Sequence, residues 1–318
     1  MTQQTPPQAD MTWPPPAFLP PPAPVVTADG CRRFEGATYA TTPGYRPRLL
    51  DVYVPAGHDA DDRTNGPCPA VVWIHGGGWM DGDRRYPPPT VPAELLFGTL
   101  LGAGLAVVTL DYRHSLEAPF PAQLHDVKAA IRYVRAFADT LGIDADRIGV
   151  WGESAGGHLA ALAALTGPGT ADGLLEGAEG VAEGDTSVQA AVDWYGVSDI
   201  VSAAAAIPPQ LAPLGDPYTA LLGAAPADRP DLAAAASPVT YATRPAPPFL
   251  LVHGTADSLV PYGQSELLTE QLRAQGGVVE LVPVDGADHI FLGVPDIPAL
   301  VTRSVSFLAD RLKAHAAR

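Results

Sequence analysis

The sequence predicts an α/β fold: a mostly parallel central sheet with helices on both faces and a small cap-like insertion. Three observations carry that expectation. Short apolar, β-rich runs followed by turn residues recur along the chain, amphipathic helical stretches alternate with them, and two irregular segments interrupt the rhythm. A strand buried on both faces reads as a continuous apolar run, and strands that alternate with helices imply parallel pairing under helical cover.

The elements follow in order. Residues 1–37 form a Pro-rich N-terminal arm, expected to be extended or disordered because Pro fixes φ and removes a backbone donor. Trp13, Phe18 and Leu19 are the side chains able to pin it to the body or to a neighbouring subunit. Strands are expected at 49–54, 70–75, 105–111, 148–152, 190–196, 248–254 and 278–284. Phe120, Leu124, Val127, Ile131 and Val134 recur at steps of four and three, which defines one face of a helix over 120–138, with Pro121 in its first turn. Helices are also expected after residue 154, over 262–275, and at the C-terminus, where Ile297, Val301, Val305, Leu308 and Leu312 share a face. Residues 167–187, rich in Gly and acids, read as a surface loop. The Ala- and Pro-rich stretch 199–247 reads as an insertion over the carboxyl ends of the strands, where such sheets place their sites. One domain over 38–318 suits a chain of 318 residues.

Composition narrows the partners. A net charge of −16 argues against nucleic acid or an anionic membrane surface. No apolar run approaches the ~20 residues of a membrane span, and the first basic residue is Arg32, so a cytoplasmic location is the default expectation. Cys31 and Cys68 have no metal-like spacing and read as two unrelated reduced thiols, although one disulfide stays open. No metal and no cofactor are expected, and a homodimer is compatible with the exposed arm.

The chemistry concentrates at GESAGG, 152–157. A lone Gly-x-Ser-x-Gly is cheap in a chain this rich in Gly and Ala. Here it follows the strand IGVWG directly and opens a helix, the context in which Ser154 is held on a strained turn above the sheet. A serine hydroxyl needs a base, and the base needs a carboxylate to orient it. His289, in GADHIF after the last strand, and Asp257, in HGTAD after an earlier one, follow Ser154 in a workable order. His253 reads as a packed or hydrogen-bonded structural histidine at the end of its strand, and His158 as a helix residue that would not reach the hydroxyl proton. Asp199 ranks second as orienter, and Asp285 and Asp288 read as turn residues. His75-Gly76-Gly77-Gly78-Trp79 follows another strand and exposes backbone N–H groups. With the N–H of Ala155, those of Gly77 and Gly78 suit the oxygen of a tetrahedral intermediate. The competing phosphate-cradle reading lacks the Lys-Ser/Thr ending it requires.

These residues resemble the α/β-hydrolase superfamily over roughly 38–315. HGGGW at 75–79, DYR at 111–113, FPAQLHDVKAAIRYVR at 120–135 and GESAGGHLAAL at 152–162 look like the hormone-sensitive-lipase-like esterases. Glu153, and HGTADSLVPYGQSELL at 253–268, are similar to the branch of bacterial bifunctional feruloyl and acetyl-xylan esterases. The resemblance implies a triad of Ser154, Asp257 and His289, and an oxyanion hole of Gly77, Gly78 and Ala155. Asp126 and Arg113 match the family pattern as a structural ion pair, and Glu153 as a supporting hydrogen-bonding residue. The expected activity is hydrolysis of a small or medium acyl ester, with Trp79 and the insertion walling the substrate pocket. An aryl formamidase or a small peptidase could use the same groups. A non-catalytic ligand-binding protein and an acyltransferase are the more distant alternatives.

Overall fold

The computed structural model describes residues 16–58, 66–168, 173–207, 215–243 and 245–315. Among them, nine strands form one sheet in the order β1-β2-β3-β5-β4-β6-β7-β8-β9. They are β1 (Val25–Val26), β2 (Arg32–Ala40), β3 (Arg48–Val54), β4 (Cys68–Ile74), β5 (Ala106–Leu110), β6 (Ile143–Glu153), β7 (Ala190–Trp194), β8 (Phe249–Gly254) and β9 (Val279–Val284). Pairing is antiparallel from β1 to β5 and parallel from β5 through β4, β6, β7 and β8 to β9. Every residue of β4, β5, β7 and β8 is buried, which is why each reads as a mostly apolar run, interrupted only by Thr109, Asp193 and His253.

The helices are α1 (Ala93–Gly102), α2 (Ala122–Ala136), α3 (Ala138–Leu141), α4 (Ala155–Leu165), α5 (Ile200–Ala205), α6 (Pro217–Leu222), α7 (Pro230–Ala235), α8 (Gly263–Ala274) and α9 (Ile297–His315). One face of the sheet packs on α1 and α9, around Trp73, Trp151 and Trp194; the other packs on α2, α4 and α8. Val301, Val305, Leu308 and Leu312 of α9 are buried as their spacing predicts. Truncating one, Leu308 for example, would remove ~2–5 kcal/mol of packing.

One expectation needs correction. The arm was expected to end at residue 37, but Arg32–Ala40 is a full strand hydrogen-bonded to β3. Its sequence RRFEGATYA lacks an apolar run because this part of the sheet is only half covered. Upstream, the Leu19 N–H donates to Thr38 O at 2.9 Å and Phe18 packs edge-on against Tyr133 and Phe137, so residues from 16 onward are pinned to the body. Trp13 lies outside the described residues. Residues 167–187 are, in their described part, the surface loop that the sequence predicts. Its described part is tied to α2: Glu176 accepts from the buried Lys128 at 2.7 Å and faces Arg132, while Glu179 meets Arg113 at 3.0 Å. Leu175 is buried beneath it.

Candidate active site

β4, β6, β8 and β9 run parallel, so their carboxyl ends open onto one rim of the sheet. At the end of β6 the chain turns sharply into α4. Ser154 takes φ 53°, ψ −119°, a conformation that L residues avoid. The surroundings enforce it. A Cβ on Gly156 would stand 2.0 Å from Ile74 O, and one on Gly152 would stand 2.1 Å from Gly156 O, so strand and helix approach only where side chains are missing. The Ser154 N–H donates to Trp194 O at 2.8 Å and fixes the turn against β7.

After β4, residues 77–79 are all left-handed, with φ of 101°, 59° and 59°. The Gly77 carbonyl accepts from the N–H of Met80 and of Asp81, both at 3.0 Å, and closes a tight turn. Gly77, Gly78 and Ala155 line one cavity with Ser154, and their N–H groups meet no acceptor among the described residues. Ala155 is also the first residue of α4, where helical N–H groups lack an intrahelical partner. Two buried side chains brace this loop. Tyr112 stacks on His75 at 4.4 Å and donates its hydroxyl to His75 O at 3.0 Å. The Glu153 carboxylate accepts from Gly76 N–H at 2.7 Å, tying the serine turn to the glycine loop. Burial pushes the Glu153 carboxyl above the usual carboxylate range, and the Gly76 N–H only partly offsets that. The Tyr195 hydroxyl faces the same carboxyl but closes no ordinary hydrogen bond to it.

The Asp257 carboxylate and the His289 imidazole come from the loops after β8 and β9. His289 Nε2 lies 3.1 Å from Ser154 Oγ, and its Nδ1 lies 2.7 Å from Asp257 Oδ2. Asp257 Oδ1 accepts from the N–H of Leu259 at 2.9 Å and of Val260 at 2.8 Å. The Asp257 side chain is fully buried, yet its carboxyl is held well below the usual range. Burial raises it, and the hydrogen bonds from His253, His289 and Val260, with the charge attraction of His289, outweigh burial. Tyr195 packs edge-on against the His289 ring at 4.9 Å. The base loop is itself strained, with Ile290 and Phe291 at φ 54° and 58°, and Phe291 buried against Trp194 and Tyr195.

The other candidates have separate roles. His158 receives the Trp79 indole N–H at Nδ1 (3.1 Å) and meets Ala236 O through Nε2 (2.6 Å), and burial lowers its pKa to about 4. It anchors Trp79 rather than reaching the serine. Asp199 caps α5 by accepting from Ser202 N–H. Asp288 accepts from the N–H groups of Ser258 and His289, and Asp285 meets Thr255 at 3.5 Å. Arg113 and Asp126 form a buried two-pronged pair at 2.8 Å, with Arg48 as a second buried partner at 3.2 Å. Cys31 and Cys68 are both free. No group of three or more His, Cys, Asp or Glu among the described residues is placed to hold a metal ion.

Beside Ser154 opens a cavity of about 420 Å³. Trp79, Pro88, Tyr218, Val260 and Ile290 are among its walls, and Ile207, Gly215 and Pro217 bring the insertion into it. Trp79 is clamped between His158 and Tyr218, whose ring centre lies 5.7 Å away. The sequence pattern gave no hint of Tyr218 or Ile290 at this position. Those residues sit in a six-residue helix and a strained turn, where no hydrophobic period can develop.

A parallel sheet with an antiparallel flank, a serine turn between strand and helix, and an acid and base on later loops define an α/β-hydrolase. The chain belongs to the BD-FAE family, whose model matches residues 50–272. It is 36% identical over 267 residues to the probable carboxylic ester hydrolase LipM of Mycobacterium tuberculosis, covering 76% of this chain and 58% of LipM. It is 34% identical to esterase LipC of the same organism, covering 88% of this chain and 65% of LipC. The chain thus spans only 58% of LipM and 65% of LipC. Among solved structures, a truncated carbohydrate esterase from gut microbiota superposes with a TM-score of 0.73 at 28% identity, covering 90% of this chain and 96% of that one. Among the described residues no helix is long and apolar enough to cross a membrane.

Proposed function

We propose that this chain is a serine carboxylic-ester hydrolase that works through an acyl-enzyme. One observation carries the reading: a single imidazole bridges a strained serine and a buried carboxylate, at 3.1 and 2.7 Å, on the wall of an apolar cavity. His289 takes the Ser154 proton as the hydroxyl attacks the ester carbonyl. Asp257 selects the tautomer with the proton on Nδ1 and stabilises the imidazolium that forms. The carbonyl oxygen, now negative, is received by the N–H groups of Gly77, Gly78 and Ala155, each worth ~2.7–4 kcal/mol in the barrier if removed. His289 then returns the proton to the leaving alcohol. In the second half, water loses a proton to His289 and attacks the acyl-serine, which releases the acid and restores the hydroxyl.

The walls also indicate the substrate. Glu153 is the single acidic side chain lining the cavity, and no Lys or Arg lines it among the described residues. An uncharged acyl group of small or medium size suits such a space, while an anionic substrate would meet Glu153 without a compensating cation. The names of the relatives, which are esterases, support ester hydrolysis over amide cleavage.

The test is a panel of p-nitrophenyl acyl esters beside acetylated sugars, feruloyl esters and N-formyl amides, with Ser154→Ala as control. We expect turnover of neutral short or medium esters and a loss of about 10⁵–10⁶ in kcat for the variant, since serine and base act as one unit. Comparable turnover by Ser154→Ala would refute the nucleophile. A strong preference for the formyl amide would replace esterase by amidase.

A further inference from the structure

We propose that His253 is a positioning residue: a second imidazole that holds the Asp257 carboxylate in the orientation His289 needs. The inference rests on the reading of Asp257 as the residue that orients the base.

His253 and Asp257 are four residues apart across the end of β8. The chain reverses there, with Asp257 N–H donating to Gly254 O at 3.3 Å, and the two side chains meet. His253 Nε2 stands 3.3 Å from Asp257 Oδ2, the same oxygen that receives His289 Nδ1 at 2.7 Å. Both side chains of the His253–Asp257 pair are fully buried. The tautomer follows from the partners. Nε2 also faces Val260 O at 2.9 Å, and a carbonyl can only accept, so the proton sits on Nε2. Nδ1 is then free to accept from the Ser265 hydroxyl at 2.7 Å. The ring therefore directs its one N–H at the Val260 carbonyl with Asp257 Oδ2 beside it, too oblique for an ordinary hydrogen bond, and Ser265 of α8 holds the ring in that pose. With the N–H groups of Leu259 and Val260 on Oδ1, Asp257 is surrounded by N–H donors and touches no Lys or Arg among its described partners.

That arrangement acts on the reaction in two ways. Mechanically, it stops Oδ2 from rotating away from His289. Electrostatically, the positive N–H edge of the His253 ring beside Oδ2 offsets part of the carboxylate charge that His289 meets. Other groups face this cluster. Tyr195, Tyr218 and Asp288 lie within the field of the Asp257 carboxylate, Glu153 neighbours His289, Asp193 neighbours the neutral His253 ring, and Tyr262 packs edge-on against that ring at 5.6 Å. The imidazole that stands at Oδ2 beside His289 is that of His253.

The experiment uses the full chain and pH profiles of kcat and kcat/KM on a neutral p-nitrophenyl ester. His253→Phe keeps a ring but removes the N–H; His253→Gln restores an N–H at similar reach. We expect His253→Phe to lose about tenfold in kcat with little change in KM, in keeping with the loss of one buried polar contact to a charged group. Its acid limb moves to higher pH, and the low-field proton resonance of the His289 Nδ1–H shifts. His253→Gln recovers most of both. If His253→Phe folds and keeps the wild-type acid limb and resonance, the proposal is overturned. Should His253→Phe fail to fold, Ser265→Ala decides: freeing Nδ1 must move the acid limb the same way, and an unmoved limb overturns the proposal. Asp257→Asn is run alongside. An active Asp257→Asn enzyme defeats the reading of Asp257 itself, whereas an inert His253 substitution defeats only this inference.

Discussion

The two halves of the candidate site are held by different forces. The serine turn and glycine loop, at the ends of β6 and β4, are fixed by crowding: backbone passes so close to backbone that a single Cβ at Gly156 has no room. The acid and base, at the ends of β8 and β9, are fixed by hydrogen bonds that converge on one carboxylate. Crowding is insensitive to pH and intolerant of volume. A hydrogen-bonded carboxylate tolerates changes in volume but responds to protons. Substitutions in the two halves should therefore fail in different ways.

Of the substitutions that separate the two halves, Asp257→Asn is expected to have the largest effect. The amide presents the wrong group to His289 Nδ1, and kcat should fall about 10⁴-fold. Its stability has a distinctive pH dependence. Asp257 is depressed when folded, so its carboxylate stabilises the fold above the ordinary carboxylate pKa, and that contribution is lost as pH falls through the folded value. Wild type should thus be the more stable protein at neutral pH, and the gap should narrow in acid. A gap in urea midpoints that stays constant with pH would argue against this account of the acid side.

Gly156→Ala tests the other half. Its methyl would stand 2.0 Å from Ile74 O, so strand and helix must part, and we expect a loss of about 3 kcal/mol or more in denaturant unfolding at every pH. A variant with wild-type stability would mean that the turn is not set by crowding.

Asp193 sharpens the comparison with a smaller effect of opposite sign. It is fully buried beneath the serine helix, accepts from Gly196 N–H at 2.8 Å, and leaves Oδ2 without a partner. Burial raises its pKa to about 6, so above that pH the folded state carries a penalty that is absent near pH 4. Asp193→Asn should gain about 1–3 kcal/mol at pH 8 and nothing near pH 4, as judged by thermal melting across pH. Equal gains at both pH values would show that its carboxyl is not a pH-dependent burden.

The same division explains what could be read from the chain alone. The parallel strands were legible because burial on both faces leaves a run such as AVVWI no alternative. Ser154, Asp257 and His289, which the fold brings together, stand at strand ends in a recognisable order. β2 was illegible because RRFEGATYA alternates with charge, as an incompletely covered antiparallel strand does. Ion pairing between Glu176 and the buried Lys128 and Arg132 spans more than forty residues, and no local pattern records it. The proximity of His253 to Asp257 was hidden for another reason. A strand-end histidine has the same sequence signature whether it merely packs or also grips a neighbour.

The central claim is that Ser154 is the group acylated during turnover. Incubation with a fluorophosphonate probe, followed by peptide mass mapping, tests it most directly. The account predicts stoichiometric modification of Ser154, lost in Ser154→Ala and slowed in Asp257→Asn. Modification at another residue, or undiminished labelling of the alanine variant, would contradict it.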